Sequence, residues 1–138
     1  MGGGMGISQG AKVRIVTGHT KMAMPETHIG LFPDVGGGYF LSRCPGHTGE
    51  WLALTGEMLG AGEAIALGLA DTCFDAARLM PAWDALASTD LGQTAAIESW
   101  TAMYSIAYSA YSTRAIGQID QYFSLASVPE IHPLRALN

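Results

Sequence analysis

The sequence predicts an α/β fold, with short strands and glycine-rich turns in the first half and mostly helices in the second. Sixteen of the eighteen glycines fall at or before Gly68, and only Gly92 and Gly117 follow. The β-branched cluster Val13, Ile15 and Val16 sits inside that glycine-rich half, whereas Ala, Leu and aromatic residues at helical spacing dominate the second. The chain has 138 residues, 49% of them hydrophobic and 14% charged, which suits one domain and is too apolar for intrinsic disorder.

Taken in order, Met1–Gly10 is a glycine cluster that runs into Ile7, Ser8 and Gln9 and opens a helix. Lys12–Val16 reads as a strand closed by Gly18, and Thr20–Met24 as extended chain, because the residue before Pro25 is driven toward β conformation. Gly30–Asp34 is a loop, Val35–Ser42 a short helix with its glycines at the start, and Gly46–Leu54 a helix bearing Trp51, Leu52 and Leu54. Ala61–Leu69 is an Ala/Leu-rich helix and Ala70–Phe74 a strand. Asp75 is placed to cap a helix over Ala76–Ala87. Helices over Gln93–Ser112 and Arg114–Ala126 follow, and Ser127-Val128-Pro129-Glu130 starts another with proline in its first turn. The organisation is thus a mixed core over residues 1–75 and a helical region over residues 76–138.

Charge narrows the partners. Seven basic against twelve acidic side chains give a net charge of −5, with no clustered Lys/Arg to neutralise phosphates or anionic lipid. Neither nucleic acid nor a membrane is an expected partner. The nearly uncharged stretch from Thr94 to Ile116 is too polar to span a bilayer. Cys44 and Cys73 match no disulfide framework, metal or redox motif, so a reducing cytoplasm is the expected compartment. His19, His28, His47 and His132 show no metal-ligand spacing, and Ser8 and Ser42 lie outside any nucleophile elbow. Trp51, Trp83 and Trp100, with the Tyr104/Tyr108/Tyr111 stripe, read as core or helix–helix contacts.

The chemistry concentrates in Met22–Ser42. Across that segment Glu26 and Asp34 are the only formal charges, set among Met, Ile, Leu, Phe, Val and glycine. Carboxylates in apolar surroundings without a basic neighbour suit general acid/base or nucleophilic work, though exposed loop acids or a helix-capping Glu26 fit the same pattern. Gly2-Gly3-Gly4 offers backbone N–H groups unscreened by side chains, a way to bind an oxyanion. It fits neither dinucleotide nor P-loop spacing, and close packing would explain it equally.

Read together, Met1-Gly2-Gly3-Gly4-Met5-Gly6 and Met24-Pro25-Glu26-Thr27-His28-Ile29-Gly30-Leu31-Phe32-Pro33-Asp34-Val35-Gly36-Gly37-Gly38-Tyr39-Phe40-Leu41 resemble the crotonase (enoyl-CoA hydratase/isomerase) superfamily. Within it they are most similar to the 3-hydroxyisobutyryl-CoA hydrolases of the valine-catabolism type. Leu52-Ala53-Leu54-Thr55-Gly56 and Ala64 to Ala70 are similar to the segment that follows in that family, and the likeness covers about residues 1–75. The resemblance implies a partial crotonase-like fold, truncated at both ends relative to the family. It implies that Gly3, with Gly2 beside it, supplies an oxyanion N–H for the thioester carbonyl. Glu26 matches the catalytic nucleophile or base, and Asp34 the second acid that holds the substrate hydroxyl end. Hydratases carry a further glutamate where this chain has Gly6, which favours hydrolysis over hydration. An enoyl-CoA hydratase or isomerase working with Glu26 alone is the alternative, and an impaired crotonase module used for assembly is another. The resemblance implies an acyl-CoA substrate, coenzyme A being part of it, with no metal and no separate cofactor. A homo-oligomer would cover the apolar surface.

Overall fold

The computed structural model describes residues 1–108 and 113–131. The glycine cluster forms α1 (Gly3–Ser8), followed by β1 (Ile15–Thr17). Met22 then pairs with Leu59 through reciprocal backbone bonds of 2.9 and 2.7 Å, which accounts for the extended segment before Pro25. Pro25 opens a 3-10 helix over Pro25–Ile29, so Glu26 lies in a helical first turn. Next come α2 (Gly37–Leu41), α3 (Thr48–Thr55), α4 (Ala61–Ala66) and β2 (Thr72–Phe74). The second half carries α5 (Leu79–Leu86), α6 (Thr94–Tyr104), β3 (Ser105–Ile106), α7 (Thr113–Phe123) and α8 (Val128–Ile131).

The sheet runs in the order β1-β2-β3. β1 and β2 are parallel with Val16 opposite Cys73, and parallel neighbours need a long crossover, here the chain carrying α2, α3 and α4. β2 and β3 are antiparallel with Phe74 opposite Ser105, so a strand from the helical region completes the sheet of the mixed half. Side chains alternate across the sheet. Val16 and Cys73 enter the main core with Met5, Met24, Leu52 and Leu67. Phe74 points the other way and packs with Ala82 and Trp100, Ile15 closing the edge. Trp100 meets Phe74 edge-on at 5.5 Å and donates its indole N–H to the Ala82 carbonyl at 2.9 Å.

Four expectations shift for identifiable reasons. The helix expected from Val35 begins at Gly37, because Val35 and Gly36 both take positive φ, 43° and 85°, and form a turn instead. The Asp75 cap is present, its side chain accepting from the Ala77 N–H at 2.9 Å, but it starts a 3-10 turn over Ala76–Arg78. Pro81 has no N–H to bond back to that turn, so α5 starts afresh at Leu79. The helix expected to reach Ser112 stops at Tyr104: Ser105 turns to extended backbone, its hydroxyl donates to the Thr101 carbonyl at 2.7 Å, and the strand pairs with β2. Trp83, expected in a helix contact, is 67% exposed. Tyr111 and His132 lie outside the described residues.

Candidate active site

The site is organised by α1, a helix short of side chains. Gly2 takes φ +49°, and a Cβ there would stand 2.8 Å from Glu26 Oε1. Four residues on, a Cβ at Gly6 would stand 2.5 Å from the Val35 carbonyl oxygen, beside Asp34. The Glu26 carboxylate occupies the space beside Gly2, the residue that caps α1, and the turn bearing Asp34 occupies the space beside Gly6 within it, so a side chain at either glycine would collide. Gly4 and Ser8 face the other way and line an apolar cleft of about 350 Å³ with Met5, Val13 and Ile15. Neither acid touches that cleft.

Backbone amides separate the two predicted glycines. Gly2 N–H donates to the Ala23 carbonyl at 3.0 Å, while Gly4, Met5 and Gly6 donate to Met1 or Gly2 carbonyls at 2.8 to 3.3 Å. Gly3 is exposed, and among residues 2–6 its N–H alone has no partner among the described residues. Gly2 makes room for Glu26; Gly3 keeps a donor unpaired among the described residues.

Met24, 2% exposed, anchors the segment that carries Glu26. The carboxylate is half-buried, and its Oε2 is fully buried without a hydrogen-bond partner among the described residues. Desolvating an acceptor without replacing its bonds to water is costly, so such an atom marks a place where a ligand or water belongs. Asp34 is exposed, and neither acid has an ion pair among the described residues. His28 does not serve Glu26: its Nε2 bonds the Thr55 carbonyl at 3.0 Å and ties the 3-10 helix to the end of α3. Burial, with Glu50 adding to it, pushes the Cys44 thiol up to about 11, making it a packing group rather than a nucleophile. No cluster of three or more His, Cys, Asp or Glu stands ready for a metal ion among the described residues.

Two participants were not legible in the sequence as such. Thr27 Oγ1 is also buried without a partner among the described residues, next to Glu26. Val35 carries the one positive φ found at a non-glycine residue among the described residues. Its neighbours Gly36, Gly37 and Gly38 were the available signal, since a glycine run marks backbone that must turn sharply or approach closely.

α1 is held at its far end by a polar clamp. Arg14 pairs with Asp71 at 2.6 Å, donates to Gln9 Oε1 at 2.6 Å and to the Gly68 carbonyl at 2.7 Å, and Gln9 in turn donates to the Leu69 carbonyl at 2.9 Å. The Arg14 hydrogen bonds hold the Asp71 carboxyl below its ordinary value, against a smaller opposing effect of burial.

Against known proteins, the sequence profile of the family described as enoyl-CoA hydratase/isomerase matches residues 1–137. The mitochondrial 3-hydroxyisobutyryl-CoA hydrolase of Xenopus tropicalis is 54% identical over 70 residues, 51% of this chain and 18% of that protein. The small ribosomal subunit protein mS47 of Arabidopsis thaliana is 42% identical over 134 residues, 95% of this chain and 33% of that protein. A solved carnitinyl-CoA dehydratase from Mycobacterium thermoresistibile superposes with a TM-score of 0.86 at 35% identity, covering 100% of this chain and 39% of that one. The chain thus spans between 18% and 33% of the length of these two curated relatives.

Proposed function

This chain belongs to the enoyl-CoA hydratase/isomerase family, and on that footing we propose that it acts on acyl-CoA thioesters as a hydrolase of the 3-hydroxyisobutyryl-CoA type. The observation that carries the reading is the Glu26 carboxylate, lying against Gly2 beside the Gly3 N–H, with one of its oxygens buried and both that oxygen and the N–H without a partner among the described residues. In this mechanism the Gly3 N–H polarises the thioester carbonyl. Glu26 accepts the proton of an attacking water, or attacks first and yields an anhydride that water opens. The C–S bond breaks, the thiol of coenzyme A takes the proton, and the 3-hydroxy acid leaves. Asp34 accepts a hydrogen bond from the 3-hydroxyl and orients the acyl group. Coenzyme A enters as part of the substrate, and no metal is required.

Gly6 supports hydrolysis over hydration. A carboxylate side chain there would have to pass through the Val35 carbonyl, so α1 lends no second acid to Glu26. The purified chain is to be incubated separately with 3-hydroxyisobutyryl-CoA and crotonyl-CoA. Thiol release from the first, with no loss of enoyl absorbance from the second, is the expected result. Loss of enoyl absorbance without thiol release would replace hydrolase by hydratase, and no change with either would remove both.

A second reading is favoured by one comparison. The relative that aligns along 95% of this chain is a ribosomal subunit protein, which supports an assembly role for the same fold. Ile7, Ile29 and Phe32 are 84%, 75% and 77% exposed, apolar surface suited to a protein partner or a second copy of this chain. The net charge of −5 favours protein over RNA as that partner. Retention of thioesterase activity by a monomer in light scattering would count against this reading.

A further inference from the structure

The segment Asp34-Val35-Gly36-Gly37 is a tight turn closed by the Gly37 N–H donating to the Asp34 carbonyl at 2.7 Å. Both central residues have positive φ, the mark of a type I′ turn, whose first central position is ordinarily Asn, Asp or Gly. Here it is valine, a β-branched residue for which positive φ is a true outlier. Local preference alone would return Val35 to negative φ and swing Asp34 away. What opposes this is contact with α1: the Val35 carbonyl oxygen, Cβ and Cγ2 lie 2.5, 2.9 and 3.0 Å from where a Gly6 Cβ would be, so the turn sits in the space that glycine leaves. Strain of this kind persists only where the surroundings over-determine it, and it collects at functional sites.

We propose that Gly6 and Val35 form a latch that holds the Asp34 turn in its strained form, making both of them positioning residues for the Asp34 carboxylate. The positioning role rests on the reading of Asp34 as the group that orients the substrate hydroxyl. The latch itself rests only on the turn, the φ of Val35 and the Gly6 contact. Gly6 thus has two consequences from one missing side chain: it denies α1 a second acid, and it seats the turn that brings an acid from elsewhere. Selectivity for a 3-hydroxylated acyl group follows from the second.

The test compares Gly6→Ala with Gly4→Ala in the full chain. The two substitutions sit on the same helix, but a Cβ at Gly4 meets nothing within 4 Å. Hydrogen exchange reads the latch directly: protection of the Gly37 amide is expected to fall in Gly6→Ala and to stay at the wild-type level in Gly4→Ala. Equal protection in all three proteins overturns the latch. The positioning role is read from the ratio of kcat/KM for 3-hydroxyisobutyryl-CoA to that for isobutyryl-CoA. Gly6→Ala is expected to lower this ratio about tenfold, the cost of one misplaced hydrogen bond to a charged group. Adding it to Asp34→Asn is expected to lower the ratio no further, because both act through the same carboxylate. An unchanged ratio, or a full additive loss in the double variant, overturns the positioning role. A wild-type chain that cleaves neither thioester removes the hydrolase reading and that role together, while the exchange experiment still decides the latch.

Discussion

In the glycine-rich half, groups meet because side chains are missing; in the helical half, they meet because side chains are large. Gly2 and Gly6 let Glu26 and Val35 approach the backbone of α1. Trp100 and Tyr104 of α6 instead meet Phe74 of β2 edge-on or tilted, with ring centroids 5.5 to 6.1 Å apart, and fix α6 onto the sheet. The first arrangement leaves polar atoms unpaired among the described residues and backbone strained, which is costly to stability and is the kind of cost that functional sites carry. The second is mostly apolar, and its polar atoms are bonded: the Trp100 indole N–H donates to the Ala82 carbonyl and the Tyr104 hydroxyl to the Pro81 carbonyl. Substitutions in the first are therefore expected to change activity more than stability, and in the second the reverse.

Glu26→Gln should produce the largest effect and the cleanest one. It preserves shape while removing the base or nucleophile, so thioesterase kcat should fall about 10³–10⁴-fold. Oε2 has no partner to lose among the described residues, so the denaturation midpoint should hold or rise. A fully active Glu26→Gln protein would end the catalytic assignment and leave the fold untouched.

Phe74→Ala is the counterpart at the aromatic cluster, where the helical half packs onto β2. The ring is 0% exposed and touches Trp100 and Tyr104, so its removal should cost about 3–5 kcal/mol in urea unfolding. Any active fraction that remains folded should keep its KM, since the ring lies on the sheet face away from Met5 and α1. A loss of activity without loss of stability would break the proposed division between the halves.

What could be read from sequence divides along the same line. The Pro-Glu-Thr and Phe-Pro-Asp-Val-Gly-Gly runs were enough to point to the family, because a motif of fixed spacing is read directly from the chain. Asp75 as a cap was legible, since its side chain bonds two residues away. The Gly6–Val35 contact was not, because it joins residues 29 positions apart through a backbone oxygen that carries no side-chain signature. Nor was the end of α6: helical propensity runs past Tyr104, and pairing of Ser105 with Phe74 overrides it. Trp83 reads as a core or helix–helix contact yet is mostly exposed.

Asp34→Asn tests the comparison within the glycine-rich half, where the two acids differ. Glu26 is half-buried and Asp34 exposed, so the second should contribute less and only where a hydroxyl is present. The expected loss is about tenfold in kcat/KM for 3-hydroxyisobutyryl-CoA and little for isobutyryl-CoA, with the unfolding free energy within about 0.5 kcal/mol of wild type. Equal losses on both substrates would make Asp34 a general electrostatic contributor rather than an orienting one.

The smallest expected effect concerns a polar side-chain contact in the glycine-rich half. Arg14 bonds Asp71, Gln9 and the Gly68 carbonyl, and so ties the end of α1 to the chain entering β2. The Arg14 hydrogen bonds lower the Asp71 carboxyl from its ordinary value. A carboxyl lowered on folding stabilises the protein above its unfolded range, about pH 4, and that stabilisation is lost as pH falls through the folded value. Arg14 stays protonated throughout, so the acid limb belongs to Asp71. The two side chains are 22% and 39% exposed, and solvent screening keeps the pair to roughly 1 kcal/mol at neutral pH. Asp71→Asn should therefore unfold slightly more easily than wild type at pH 7, and the two stability curves should converge as pH drops below about 4. Curves that stay parallel down to pH 2 would show that the clamp acts by geometry alone and that its charge contributes nothing to holding α1.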